Sequence, residues 1–326
     1  MTSMAIAEMA LTLCSQRLLF AGQPILFKSN SPRIARYAGD FLQESPGLEA
    51  SSTEARATIT VHVRETDEQC ESAPLFRARG QFAFARFTRA DSFWFNLRAR
   101  EVYGVCSPEL ADDSWRWRVH IFPALLGILS AVIDVAPVHA ACLVRRGEGV
   151  LLAGQSGAGK STLTVAMAKR GYALLSDDWT YLSTAGSEVE AWGLPVPVKL
   201  LPDARRFFPE LIAYDMTNSL NGEIAYEVFP EECFGISRGT RCPVTGVVLL
   251  ERAAKPGCSI TPVGAAEAID HLAREVEPLE GSLARCYERQ IDLIRHLGNV
   301  SCQRVSFSGH PESVAEALDI ALAVMR

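Results

Sequence analysis

Residues 154–162 read Gly-Gln-Ser-Gly-Ala-Gly-Lys-Ser-Thr, which satisfies G-x-x-x-x-G-K-S/T with Gly154, Gly159, Lys160 and Ser161 in the required places. Glycines in such a loop let the backbone turn tightly, so that successive N–H groups point inward at phosphate oxygens. The whole stretch, Gly154, Gln155, Ser156, Gly157, Ala158, Gly159, Lys160, Ser161 and Thr162, is therefore read as a phosphate cradle. Lys160 would reach the outer phosphates of a nucleotide, and the Ser161 hydroxyl is placed for Mg²⁺.

The flanks agree with that reading. An apolar run, Gly149–Ala153, precedes the loop as a buried strand, and Ser161–Arg170 follows with Leu163 and Met167 at helical spacing. Strand, glycine loop and helix N-terminus together put the positive end of a helix dipole on a bound phosphate. Further along, Tyr172–Ser176 and Val244–Glu251 read as buried strands. Pro123–Val135, Pro262–Glu275, Gly281–Leu297 and Pro311–Arg326 read as helices. Strands alternating with helices beyond residue 120 imply an α/β fold over residues 121–326.

Residues 1–120 have β character and are expected to form a sheet-containing accessory α+β domain. Ala57–Arg64, Gln81–Phe87, Phe93–Leu97 and Trp115–Ile121 all alternate apolar with polar residues, as half-buried strands do. The aromatics of this region are read as core and not as a binding surface. Met1–Phe20 is fairly apolar but lacks a positive start and is broken by Glu8, Gln16 and Arg17, so it reads as an amphipathic first helix.

Composition narrows the partners. The 326 residues carry a net charge of −6 and no polybasic run or basic-aromatic stripe, so no nucleic-acid partner is expected. No stretch holds 18 uninterrupted apolar residues, so no membrane span is expected either. Nine scattered cysteines without a C-x-x-C pair suggest reduced thiols in the cytoplasm.

Binding a triphosphate is not yet chemistry; transfer also needs a metal ligand and a group that handles the nucleophile. Asp177 and Asp178 end a hydrophobic strand, where two carboxylates can divide those jobs, although a helix cap or solvated turn has the same composition. His139 either faces the same cleft, orienting an aspartate or stabilising transferred charge, or is a satisfied core histidine. Arg238 and Arg241 are candidate phosphate clamps or ordinary surface arginines.

His139, the Gly154–Ser161 loop, Arg170-Gly171 and Leu174-Leu-Ser-Asp-Asp178 resemble the core of the HPr kinase/phosphorylase family. The resemblance implies a P-loop kinase core with a phosphoenolpyruvate carboxykinase-like fold. It implies Asp177 as the base toward a serine hydroxyl, assisted by His139, with Lys160 on the triphosphate and Ser161 and a nearby carboxylate on the metal; Asp178 is taken as that carboxylate, and which of the two aspartates has which role stays open. Val189-Glu-Ala-Trp-Gly-Leu-Pro195 is similar to a degraded copy of a family stretch whose glutamate serves the metal, which nominates Glu190. Trp192 stands where that stretch has arginine, and the first 120 residues do not match the family's partner domain. The chain is therefore more similar to divergent HPr-kinase-related proteins from peptide-modification gene clusters.

The resulting expectation is an ATP- and Mg²⁺-dependent kinase acting on a serine-containing peptide or small protein. A non-catalytic nucleotide-binding regulator and a small-molecule kinase, for instance of free serine, are the rivals. ATP against GTP or pyrophosphate stays open, as does whether the chain forms a homo-oligomer.

Overall fold

The computed structural model describes residues 13–42, 54–65, 74–219 and 222–324. The chain divides into two compact units: the described residues up to Ile133 with Leu279–Arg285, and Asp134–Pro278 with the residues from Cys286 onward. The division thus falls after an apolar helix, Phe122–Ser130, and not at residue 120.

The described residues of the first unit hold seven strands: β1 (Cys14–Phe20), β2 (Gln23–Ser29), β3 (Ala57–Val63), β4 (Leu75–Arg79), β5 (Phe82–Arg86), β6 (Ser92–Asn96) and β7 (Glu101–Cys106). They form one sheet in the order β1-β2-β3-β7-β6-β5-β4. Period-2 patterning sends Ile25, Phe27, Ile59, Val61, Phe93 and Phe95 to one face, all buried. The helix Pro32–Leu42 buries Ile34, Ala35, Ala38, Phe41 and Leu42, at helical spacing, with Phe41 stacked on Phe122 at 5.1 Å.

Three expectations need correction in this unit. The first helix expected over Met1–Phe20 lies outside the described residues as far as position 12, and beyond them Cys14–Phe20 is a strand. Trp115–Ile121 is helical, not extended: Ser114–Arg116 forms a helical turn capped by Asp113, and Trp117–Ile121 a π-helical turn. Its WRWRVHI alternation fits period 2, but Trp117 and Ile121 are also four apart, and both are buried while Trp115 stays exposed. The Trp117 indole N–H donates to the Leu110 carbonyl at 2.9 Å, which fixes the turn. Nor are the aromatics uniformly core: Trp94, Tyr103 and Phe82 are exposed on the opposite face of the sheet.

The described residues of the second unit add twelve strands. They are β8 (Ala136–Val138), β9 (Ala140–Arg145), β10 (Glu148–Gly154), β11 (Ala173–Ser176), β12 (Thr180–Ala185) and β13 (Glu188–Trp192), then β14 (Val198–Leu200), β15 (Thr217–Asn218), β16 (Ile224–Val228), β17 (Arg241–Arg252), β18 (Gly257–Pro262) and β19 (Ser301–Ser308). Nine of them make a mixed sheet, β11-β9-β10-β17-β13-β12-β8, with β19 joining β17 and β18 joining β19; β14, β16 and β15 form a small separate sheet. β10, β17 and β19 are mutually parallel.

Both faces of this sheet are covered, which is why its strands read as continuous apolar runs. Leu152, Val248 and Leu250 pack with Leu163, Met167, Val314 and Leu318 from the helices Lys160–Ala168 and Pro311–Val324. Leu151, Ala153, Val247 and Leu249 face the other way, toward Ala268 and Leu272 of the helix Ala265–Ala273 and Leu293 and Ile294 of the helix Ala284–Arg295. Pro262 ends a strand and does not open the helix expected from there. Among the described residues no helix is long and apolar enough to cross a membrane.

Candidate functional site

Strand register assembles the site. Ala140 on β9 pairs with Ala153 on β10, so His139, one residue earlier, is carried beside Gly154 and the start of the loop. On its other edge β9 pairs antiparallel with β11, Ser176 meeting Cys142, so the following Asp177 and Asp178 run back along β9 toward His139. A close approach keeps the end of β11 in place: any Cβ on Gly193 would collide with the Leu175 carbonyl.

The loop itself is a left-handed turn into a helix. Gly157 and Gly159 have φ of +78° and +93°, values that side chains oppose, and a Cβ on Gly154 would stand 2.6 Å from the Leu250 carbonyl oxygen. Gln155, Ser156 and Gly157 are exposed at the rim, and the helix that Gly159 opens begins at Lys160, with Ser161 and Thr162 in its first turn. Lys160 is buried, and its Nζ donates to the Gly154 carbonyl at 2.8 Å. Burial lowers the Lys160 pKa, while the carboxylates of Asp178, Glu275 and Asp177 act in the opposite direction.

His139 joins two of those carboxylates. Its Nε2 lies 2.8 Å from Asp178 Oδ1 and its Nδ1 3.6 Å from Glu275 Oε2, while the ring stacks on Trp179 with centroids 5.3 Å apart. Asp178 is half exposed, whereas Asp177 is buried and accepts the Lys199 backbone N–H on Oδ2 at 3.0 Å. Burial first, and the neighbouring Asp178 second, push the Asp177 carboxyl up to about 7, against the pull of the Lys199 N–H and Arg238.

Beside the loop opens a cleft of about 610 Å³, lined by Ser156, Gly157, Arg252, His271, Arg274 and Arg304 among others. That size suits a nucleotide. Arg252 lies over Phe307 at 4.7 Å, and its Nη2 approaches Gly159 so closely that a Cβ there would sit 2.6 Å away. Arg304 is committed to ion pairs with Glu251 and Glu267. Burial, then Arg274, lowers the His271 pKa, which favours the neutral ring.

Lys160, Ser161, His139, Asp177 and Asp178 are thus gathered around one end of the sheet, and Glu190 is not. Glu190 on β13 pairs with Pro243, next to the Val244–Gly149 pair at the start of β10, about 17 Å of strand away from the loop. Its carboxylate lies 3.9 Å from Arg241, whose guanidinium stacks over Trp192 at 5.4 Å. Arg241 is therefore not at the loop either. Arg238 ties segments together, donating to Glu231, to the Leu194 carbonyl at 3.1 Å and to the Val196 carbonyl at 2.8 Å.

Glu275, Arg252, His271 and Arg274 join the site without a sequence signal. Arg252 comes from the end of β17, which the parallel pairing with β10 brings beside the loop, and the others from the end of the helix Ala265–Ala273 and the turn after it, about a hundred residues beyond the loop.

The residues beside the loop would suit a hard cation that keeps other ligands besides the protein's. A serine hydroxyl and one exposed carboxylate supply oxygens, which suits Mg²⁺. Among the described residues no group of three or more His, Cys, Asp or Glu side chains is placed as a closed metal cage.

No protein-family model matches the chain, and no curated protein matches it. Among solved structures the chain is similar to an Hpr(Ser) kinase/phosphatase from Coxiella burnetii, at 16% identity over 57% of this chain and 98% of that one, with a TM-score of 0.28. The likeness is distant and partial.

Proposed function

We propose that the second unit is an ATP- and Mg²⁺-dependent phosphotransferase that moves the γ-phosphoryl group to a serine-type hydroxyl of a peptide or small protein. The observation that carries this reading is the meeting of Lys160, His139, Asp177 and Asp178 at the mouth of a glycine loop that leaves no room for a Cβ at Gly154 or Gly159. A loop that bound phosphate only as a structural element would not need two carboxylates beside its lysine.

In this reading the loop amides and Lys160 hold the triphosphate in one orientation, with Arg252 alongside. Mg²⁺ on Ser161 and Asp178 would neutralise charge on the phosphate oxygens. Asp177 takes the proton of the acceptor hydroxyl as the new P–O bond forms and the bond to the departing diphosphate breaks. His139 orients Asp178 through its Nε2, and Glu275 steadies the other ring nitrogen.

The test is transfer of label from γ-labelled ATP to serine-containing peptides, to free serine and to no acceptor, with wild type and Asp177→Ala. Phosphoserine on peptide, lost in the variant while nucleotide binding persists, supports the reading. Label on free serine alone selects a small-molecule kinase, and saturable binding without any transfer selects a regulator.

A further inference from the structure

The outward face of the seven-stranded sheet in the first unit carries a straight row of half-buried and exposed side chains. Cross-strand register aligns Lys28, Thr60, Tyr103, Trp94, Phe84 and Arg77, one from each of β2, β3, β7, β6, β5 and β4. Trp94 and Tyr103 are 46% and 49% exposed, in a sheet whose other face is a packed core. Phe84 and Trp94 touch with centroids 5.4 Å apart, and His62 leans on Tyr103 at 5.3 Å, so two aromatic pairs lie side by side where Trp94 and Tyr103 share a register. Phe82, 57% exposed, adds to them. Contiguous exposed aromatics on a sheet mark a contact surface.

Charge sharpens the assignment. The strands at the β4 edge add Arg79 and Arg86 to Arg77, and Lys28 closes the other end, on a chain whose net charge is −6. The three middle strands, β3, β7 and β6, contribute no Lys or Arg, and their one charged side chain is Glu101. The face is therefore cationic at both ends and aromatic in the middle. A single-stranded nucleic acid would set phosphates over that middle as well, against Glu101 and without a cation to meet them.

We propose that this face binds an extended peptide with an apolar or aromatic centre and acidic residues at both ends. Five strand spacings separate Lys28 from Arg77, about 24 Å, which an extended segment of about seven residues covers. The apolar centre packs on Tyr103, Trp94 and Phe84, and the acidic ends meet Arg77 with Arg79 on one side and Lys28 on the other. The surface lies in a different unit from the glycine loop, and its occupancy does not depend on phosphoryl transfer.

The test uses the full chain without nucleotide and a fluorescein-labelled peptide Glu-Asp-Leu-Phe-Leu-Asp-Glu, read by anisotropy. A version with lysine at every acidic position, a Leu-Phe-Leu to Ser-Gly-Ser version and a labelled oligouridylate are the comparisons. Saturable binding of the first peptide is expected, weakened roughly tenfold or more by Trp94→Ala and, separately, by Arg77→Glu with Arg79→Glu. Both changes are at exposed side chains, and circular dichroism confirms that each variant is folded. The proposal is overturned by no binding, by equal binding of the lysine or serine–glycine peptide, by binding that both variants retain, or by capture of the oligonucleotide in preference to the peptide. A concentration-dependent dimer that buries Trp94 and shuts out the peptide also overturns it.

Discussion

His139 Nε2 sits 2.8 Å from Asp178 Oδ1, and this contact joins the strand segment ahead of the glycine loop to the acidic end of β11. The ring also lies on Trp179 and faces Glu275, so it is held on three sides. A histidine so placed fixes the direction of the carboxylate. Replacing it with alanine is expected to lower kcat by roughly ten- to a hundredfold with a smaller change in KM. His139→Gln, which keeps a hydrogen-bonding group, should recover part of the loss. Steady-state kinetics on the three proteins checks this.

Lys160 is a buried ammonium whose charge is disfavoured by burial. Lys160→Met is therefore expected to leave the nucleotide-free protein as stable as wild type or about 1 kcal/mol more so, while weakening Mg-ATP binding at least about a hundredfold. Thermal unfolding and calorimetry give the two halves separately. A variant that is destabilised and still binds would contradict both.

Asp177 carries a pH signature. Its carboxyl is raised to about 7 in the folded protein against about 3.9 unfolded, so between those values the native state binds more protons. Stability is then lost as pH rises from about 4 through 7, because the ionised form is the costly one. With chelator present, Asp177→Asn should flatten that slope and be more stable than wild type at pH 8 by an amount on the order of a few kcal/mol. Urea titrations from pH 5 to 8 measure it.

Gly193 supports the site from behind. Gly193→Ala drives a methyl group into the Leu175 carbonyl, two residues before Asp177. A loss of about 3 kcal/mol or more is expected, because backbone has to move on one side or the other. Denaturant midpoints report the cost.

Glu190→Ala, in contrast, should leave Mg-nucleotide affinity within about twofold of wild type, since the carboxylate lies at the far end of the sheet beside Arg241. Isothermal titration of the variant settles the point.

What the sequence disclosed follows from how locally each feature is encoded. The glycine loop, His139 and the Asp177–Asp178 pair are short words placed at strand ends, so pattern and position could be read together. Glu275, Arg252 and His271 carry no such word; Arg252 enters through the pairing of β10 with β17, and the other two from about a hundred residues beyond the loop, which no local window contains. Glu190 failed for the converse reason, a local likeness that the register of β13 sends to the wrong end. Trp115–Ile121 was ambiguous by construction, since residues two apart and residues four apart were both apolar. The aromatic row needs five registers at once: Tyr103, Trp94 and Phe84 lie on three different strands, and only cross-strand pairing lines them up.

The bond from Lys160 Nζ to the Gly154 carbonyl has a corollary for anyone measuring affinity. An incoming phosphate does not meet a waiting cation; it competes with an acceptor the ammonium already holds. The observed enthalpy will be that of an exchange, small beside the strength of the contact finally made.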